Sequence, residues 1–176
     1  MFEHICPKAE WCPREVLDSL LELAIEVARE GREGRRIGTL FTIGFVASVM
    51  RHSRQLILDP LAMHPAEARL ITDPNLRGTI KELAQLDGAF ILSETGLVVA
   101  ACRYLDTSAK GVDMTFGLGS RHLAAASISR ETGRYRGCCV RERGCSRFLR
   151  GAIAGRDSPG TMAAEQAQPS SPCTDT

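Results

Sequence analysis

Several features are missing from this chain of 176 residues, and each absence removes a class of function. The net charge is only +1, so no global field draws the chain to nucleic acid or to a charged membrane. No segment approaches the ~20 apolar residues of a membrane-spanning helix. The N-terminus holds Glu3, His4, Lys8 and Glu10 and has no apolar h-region, which argues against a secretory signal. Together these absences predict a cytoplasmic protein whose seven cysteines are reduced thiols. There is no Cys-x-x-Cys pair, and the spacing of Cys138, Cys139, Cys145 and Cys173 fits none of the common zinc patterns. His4, His52 and His64 have no partner at metal-ligand spacing. No internal repeat is visible, and Ser120 lacks the G-x-S-x-G turn of a hydrolase nucleophile.

What is present reads as one globular domain, with 44% hydrophobic and 24% charged residues. Val16, Leu20, Leu23 and Val27 recur at helical steps, with Glu22, Glu26, Arg29 and Glu30 on the other side, so 14–30 is a predicted helix that ends at Gly31 and Gly34. Gly38 to Gly44 (GTLFTIG) is short, apolar and β-branched, as in a buried strand. Residues 46–57 suit a short helix or an irregular crossover, and Pro60 and Pro65 mark a loop. Asp73-Pro74 is a helix start, and Leu76, Ile80, Leu83 and Ala84 give that helix one apolar face up to Leu86. Ala89–Ser93 and Leu97–Cys102 are predicted strands around the turn Glu94-Thr95-Gly96, which makes a hairpin. A loop of small residues over 106–120 leads to a helix from about Arg121 to Glu131. Helices between strands predict an α/β domain with a mixed sheet and helices on both faces.

After Thr132 the text changes. Residues 134–150 (RYRGCCVRERGCSRFLR) are dominated by Arg and Cys and have no period of 2 or 3.6. Residues 157–176 are rich in Ser, Pro, Gln and Thr, a composition of disorder. Codons for Arg, Gly and Cys, read one base later, become codons for Val, Ala, Asp, Glu or Gly. From Arg134 to Phe148 the shifted frame permits Asp-Ile-Ala-Val-Val-Val-Ser-Glu-Ser-Gly-Val-Val-Arg-Val-Phe, a strand, a turn and a second strand. The expected division is a core at 14–133, an atypical, frame-shifted continuation at 134–156 and a disordered tail at 157–176, with the closing strands lost.

Two stretches carry candidate chemistry. Asp87-Gly88-Ala89 stands at the entry to a strand, where a carboxylate could hold Mg²⁺ or Mn²⁺ and two small residues could let a ligand lie against the backbone. The plain alternative is a tight turn after a helix, which is the commoner use of Asp-Gly. Gly117-Leu118-Gly119-Ser120-Arg121-His122 is a glycine loop entering a helix, whose unpaired N–H groups suit phosphate. A cation at Arg121 opposes the helix dipole, a local misfit that an anion would resolve. The plain alternative pairs Arg121 with an acid such as Asp113 and leaves His122 solvated. Asp106 and Asp113 are more simply solvated loop residues.

Taken together, LDGAFILSETGLVVAACRYL and GLGSRHLAAASISRETG resemble the diadenylate cyclase family, which has a DGA motif followed by an RHR-type motif. GTLFTIG and SRQLILDP resemble the same family, and the likeness covers about residues 16 to 133. It departs at Leu123, where many members have a second Arg, and after Thr132, where the family completes its sheet. The resemblance implies a DisA N-terminal-like fold. It also implies an enzyme that joins two ATP molecules into cyclic di-AMP and pyrophosphate. By the same resemblance Asp87 is the metal ligand, for Mg or Mn, and Asp87, Arg121 and His122 are the catalytic set. Gly88, Ala89, Gly119, Ser120, Arg121, His122 and Leu123 bind the nucleotide, and a homodimer or higher oligomer brings two ATP molecules together. The alternative is an inactive ATP-binding module or a damaged copy of a cyclase.

Overall fold

The computed structural model describes residues 11–30, 38–106, 120–132, 138–141, 145–149 and 152–157. The turn at Gly31 and Gly34, the glycine loop including Gly119 and Asp113, and the tail beyond Asp157 lie outside the described residues.

The predicted first helix is α1 (Arg14–Glu30), and its apolar stripe of Val16, Leu20, Leu23, Ala24 and Val27 is buried. The apolar run after it is β1 (Thr39–Ile43), buried at every position. The chain then forms α2 (Val46–Arg51) and a three-residue strand, β2 (Ser53–Gln55). β2 was not legible in the sequence, because Ser-Arg-Gln on a sheet edge has no apolar alternation to betray it. A 3-10 turn at Ala66–Arg69 leads to α3 (Pro74–Leu83). Asp73 caps α3 as predicted, its carboxylate accepting the Asn75 N–H at 2.8 Å. The hairpin is β3 (Ala89–Leu92) and β4 (Val98–Leu105), and α4 (Ser120–Glu131) follows.

Where the text after Thr132 has no strand period, the backbone still forms β5 (Cys138–Arg141), β6 (Cys145–Leu149) and β7 (Ala152–Asp157). β5 pairs antiparallel with β1, Leu40 opposite Val140. Ladder bonds are made by main-chain groups that nearly every residue carries, and the edge of β1 offers a template whatever side chains arrive.

The described strands form one mixed sheet in the order β2-β4-β3-β1-β5-β6-β7, in which β1 and β3 are parallel and the other pairs antiparallel. Helices cover both faces. One apolar cluster joins α1 and α3 to Phe41, Ile43, Phe90 and Leu92, with Phe41 and Phe90 stacked at 5.2 Å. A second joins α2 and α4 to Leu40, Ala89, Ile91, Ala100 and Leu105. Alternate residues of β1 and β3 therefore serve opposite faces, as the strand period of two requires.

Candidate active site

β3 begins one residue after Gly88, and Gly88 lies against β4. Its φ is +113°, and a Cβ placed there would stand 2.6 Å from the Cys102 carbonyl carbon and 2.8 Å from the Arg103 nitrogen. No side chain fits that gap, and L-residues rarely adopt that φ. The cause is on β4. Ala89 faces Arg103 while Ile91 faces Ala100, so Ala101 and Cys102 together oppose Phe90 as a bulge. Cys102 itself has φ +55°, outside the usual range for a non-glycine residue. Burial, and then the nearby charge of Asp59, push the Cys102 thiol up, which keeps it protonated and unreactive.

Directly before this seam, the Asp87 side chain is 80% exposed. Its Oδ1 accepts a hydrogen bond from Arg121 Nη2 at 2.9 Å, across 34 residues of sequence. The two motifs thus meet. Arg121 sits on the first turn of α4, whose alanine-rich face packs against the sheet through Ala125 and Ala126. Small side chains bring that helix near the strands, so its N-terminal turn reaches Asp87 through Arg121.

The remaining predicted residues are distributed around this pair. Ser120 is the first residue of α4 and is exposed. Ala89 is buried at the start of β3. Leu123 is partly buried. His122 is 4% exposed and turned into the protein, so the solvated histidine of the plain alternative is not what the fold contains. Arg121 is paired with Asp87, while Asp113, the loop acid that the sequence suggested, lies outside the described residues. Asp106 lies elsewhere, paired with Arg54 at 3.4 Å on the β2–β4 edge. Among the described residues, no three of His, Cys, Asp and Glu gather as a metal cluster.

A polar frame around the bulge was missed in the sequence. Arg103 donates to Ser53 Oγ, Ser53 O and Gln55 Oε1, and Asp59 accepts from Ala101 N–H. Its only trace was the run SRQLILDP, which resembled family text while residues 46–57 suited a short helix or an irregular crossover.

The comparisons with known proteins agree with this geometry. Residues 26–147 match the family model described as DisA bacterial checkpoint controller nucleotide-binding. A protein of Methanocaldococcus jannaschii named diadenylate cyclase is 49% identical over 119 residues, covering 68% of this chain and 37% of that protein. A diadenylate cyclase of Haloferax volcanii is 41% identical over 119 residues, covering 66% of this chain and 42% of that one. The chain thus spans about two fifths of the length of these curated relatives. A crystal structure described as a hypothetical membrane spanning protein from Bacillus cereus shares the fold, with TM-score 0.53 and 17% identity over 82% of this chain and 62% of that one. Among the described residues, no helix here is long and apolar enough to cross a membrane. With the DGA and RH motifs in contact and the family model matching most of its length, the chain belongs to the DisA bacterial checkpoint controller nucleotide-binding family, the diadenylate cyclase domain.

Proposed function

We propose that this chain condenses two ATP molecules into cyclic di-AMP, and that the contact between Asp87 and Arg121 marks its active site. The names of the two curated relatives support the reaction. In each half-reaction the 3′-oxygen of one ATP attacks the α-phosphorus of the other. The new O3′–Pα bond forms as the bond to pyrophosphate breaks, and the hydroxyl proton is lost to solvent. Two such steps close the ring and release two pyrophosphates.

Arg121 and the α4 N-terminus, with Gly119 and Ser120, would hold the triphosphate and align the attack. The Arg121–Asp87 pair is exposed, and pairs of that kind contribute only about 0–1 kcal/mol, so phosphate can displace it. By the family resemblance Gly88 and Ala89 lie beside the nucleoside; Gly88 is half-buried and would meet it, with Leu123 on the helix side, while buried Ala89 would support that backbone from the core. His122, buried on the same turn, would hold that turn and Arg121 from within.

The donor set fits a divalent ion that arrives with its substrate. Mg²⁺ binds through one or two carboxylates plus substrate phosphates and keeps several waters, and the exposed carboxylate of Asp87, with no metal cluster around it among the described residues, suits that mode better than an all-protein cage. When bound there, Mg²⁺ or Mn²⁺ would supply Lewis-acid activation of the hydroxyl and neutralise developing charge. Two protomers facing each other would present the two ATP molecules, which implies a C2 dimer. The cyclase core is assigned to 14–133, and the expected setting is the cytoplasm.

The test is incubation of the purified chain with ATP and Mn²⁺ or Mg²⁺, read by mass for cyclic di-AMP. Product is expected from the wild type and not from Asp87→Asn, which should remain folded. Unchanged product from that variant would remove Asp87 from the site. ATP binding without product in the wild type would identify an inactive module.

A further inference from the structure

The bulge that seats Gly88 is held by residues far from the two motifs. β2 ends at Gln55, while β4 begins at Val98 and runs beside it only over residues 103–105. Past the end of β2, the main-chain groups of Ala101 and Cys102 have no partner strand on that side. Both residues are buried, so those groups need partners from the protein. The segment 53–59 supplies them. Gln55 Nε2 donates to Ala101 O at 3.1 Å, and the Leu56 N–H donates to Cys102 O at 3.1 Å. Asp59 Oδ2 accepts the Ala101 N–H at 3.2 Å, while its Oδ1 accepts the Leu61 N–H at 2.9 Å. Arg103 completes the frame by donating to Ser53 Oγ at 2.9 Å, Ser53 O at 2.8 Å and Gln55 Oε1 at 3.1 Å.

We infer that Asp59 is a positioning residue for Asp87. It acts through the β4 bulge and Gly88, and the inference rests on the assignment of Asp87 to the active site. Asp59 is the one side chain in this frame that accepts from a buried main-chain N–H of the bulge and also closes its own loop onto buried Leu61. The bulge backbone is in van der Waals contact with Gly88, and Asp87 is the next residue. If Ala101 moves, Gly88 must move, and the carboxylate of Asp87 moves with it. Partners bonded directly to a metal ligand are worth about 10–100-fold in metal affinity or activity, and Asp59, which acts through Ala101, Cys102 and Gly88, is expected at the lower end of that range.

The experiment compares wild type, Asp59→Ala and Asp59→Asn in the full chain. Steady-state kinetics with ATP give kcat and KM. Electron paramagnetic resonance gives Mn²⁺ affinity in the presence of a non-hydrolysable ATP analogue. Thermal melting reports the fold. Asp59→Ala is expected to lower kcat and Mn²⁺ affinity by about 10-fold, with a KM for ATP within about twofold of wild type. Asp59→Asn, which keeps one carbonyl acceptor, is expected to fall in between. Unchanged kcat and Mn²⁺ affinity in Asp59→Ala would overturn the role. So would losses in both that simply track a lowered melting temperature. If Asp59→Ala does not fold, the same comparison is decided on Asp59→Asn. A wild type that binds Mn²⁺ and the analogue but makes no product would defeat the cyclase reading alone, because the affinity comparison still reports positioning. A wild type that binds neither would defeat both.

Discussion

The two faces of the sheet are built from different materials. Under α1 and α3 lie Leu20, Leu23, Ile71, Ile80, Phe41, Phe90 and Leu92, which are large and closed to solvent. Under α2 and α4 the cluster mixes small Ala89, Ala100, Ala125 and Ala126 with Leu40, Val49, Ile91, Leu105 and Ile128, and has no aromatic residue. The first face buries more apolar surface per side chain and carries more of the stability. The second brings a helix near the strands and leaves its N-terminus beside Asp87. On the proposed assignment of Asp87 and Arg121, stability and chemistry are carried on opposite sides of the same strands, and alternate residues of β1 and β3 face each side.

Substitutions can break or sharpen that contrast. The largest effect is expected at the seam, with Gly88→Ala. The φ of +113° alone costs about 1–3 kcal/mol for a residue with a Cβ, before the 2.6 Å clash with Cys102 is counted. Product formation should be lost together with a lowered melting temperature, and a variant that keeps both would show that the close approach is dispensable. On the thick face, Ile80→Ala is expected to destabilise by about 2–5 kcal/mol in denaturant titration. The ATP affinity of its folded fraction should be unchanged, since Ile80 touches only the α1–α3 side.

On the thin face, Ala125→Leu adds volume where there is none to spare, at a cost of about 1–3 kcal/mol. It should also lift α4 and weaken ATP binding. Equal weakening by Ile80→Ala would end the division between the faces.

The smallest effect belongs to the ion pairs on the outside of the thick face. Arg77 contacts Glu22 and Glu26, and Lys81 contacts Glu26 and Glu30, at 2.8–3.3 Å. The hydrogen bond from Lys81, helped by the charge of Arg77, holds the Glu26 carboxyl below its usual range. Glu26 and Glu30 hold the Lys81 ammonium above its own. A depressed carboxyl stabilises above the ordinary carboxylate range and loses its contribution as pH falls through the folded value. A raised lysine stabilises below the ordinary lysine range and loses its contribution as pH rises through the folded value. Glu26→Gln should therefore lower stability at neutral pH by no more than about 1 kcal/mol, and less in high salt. The difference from wild type should shrink in melts as pH falls below the ordinary carboxylate range and through the folded value of Glu26.

Helices on both faces were legible, α4 at Ser120–Glu131 as well as α1 and α3. The heptad-like spacing of α1 and the Asp-Pro start of α3 are local patterns, and the structure keeps both. β1 and the β3–β4 hairpin also stand where their apolar runs and turn residues place them, although β4 continues to Leu105 rather than Cys102. Beyond Cys102 it carries Arg103 and Tyr104 before buried Leu105, so the apolar run that marks the strand is broken there. The three strands after Thr132 were illegible for the opposite reason to β1. Their text has no apolar alternation, and what places them is the main-chain ladder that begins at β1.

Asp87-Gly88-Ala89 and Arg121-His122 could be named from the sequence because motif residues are contiguous and their spacing survives in the text. Helix faces, caps and turn residues were likewise determined locally, since each depends on neighbours within a few positions. Only the tertiary structure decided that Arg121 answers Asp87, that His122 turns inward, and that Asp59 and Arg103 hold the bulge on which Gly88 rests. Those contacts join residues 34 to 50 positions apart. Such distances are closed by the packing of the sheet and its helices, and nothing in the local chain encodes which side chain will be waiting there.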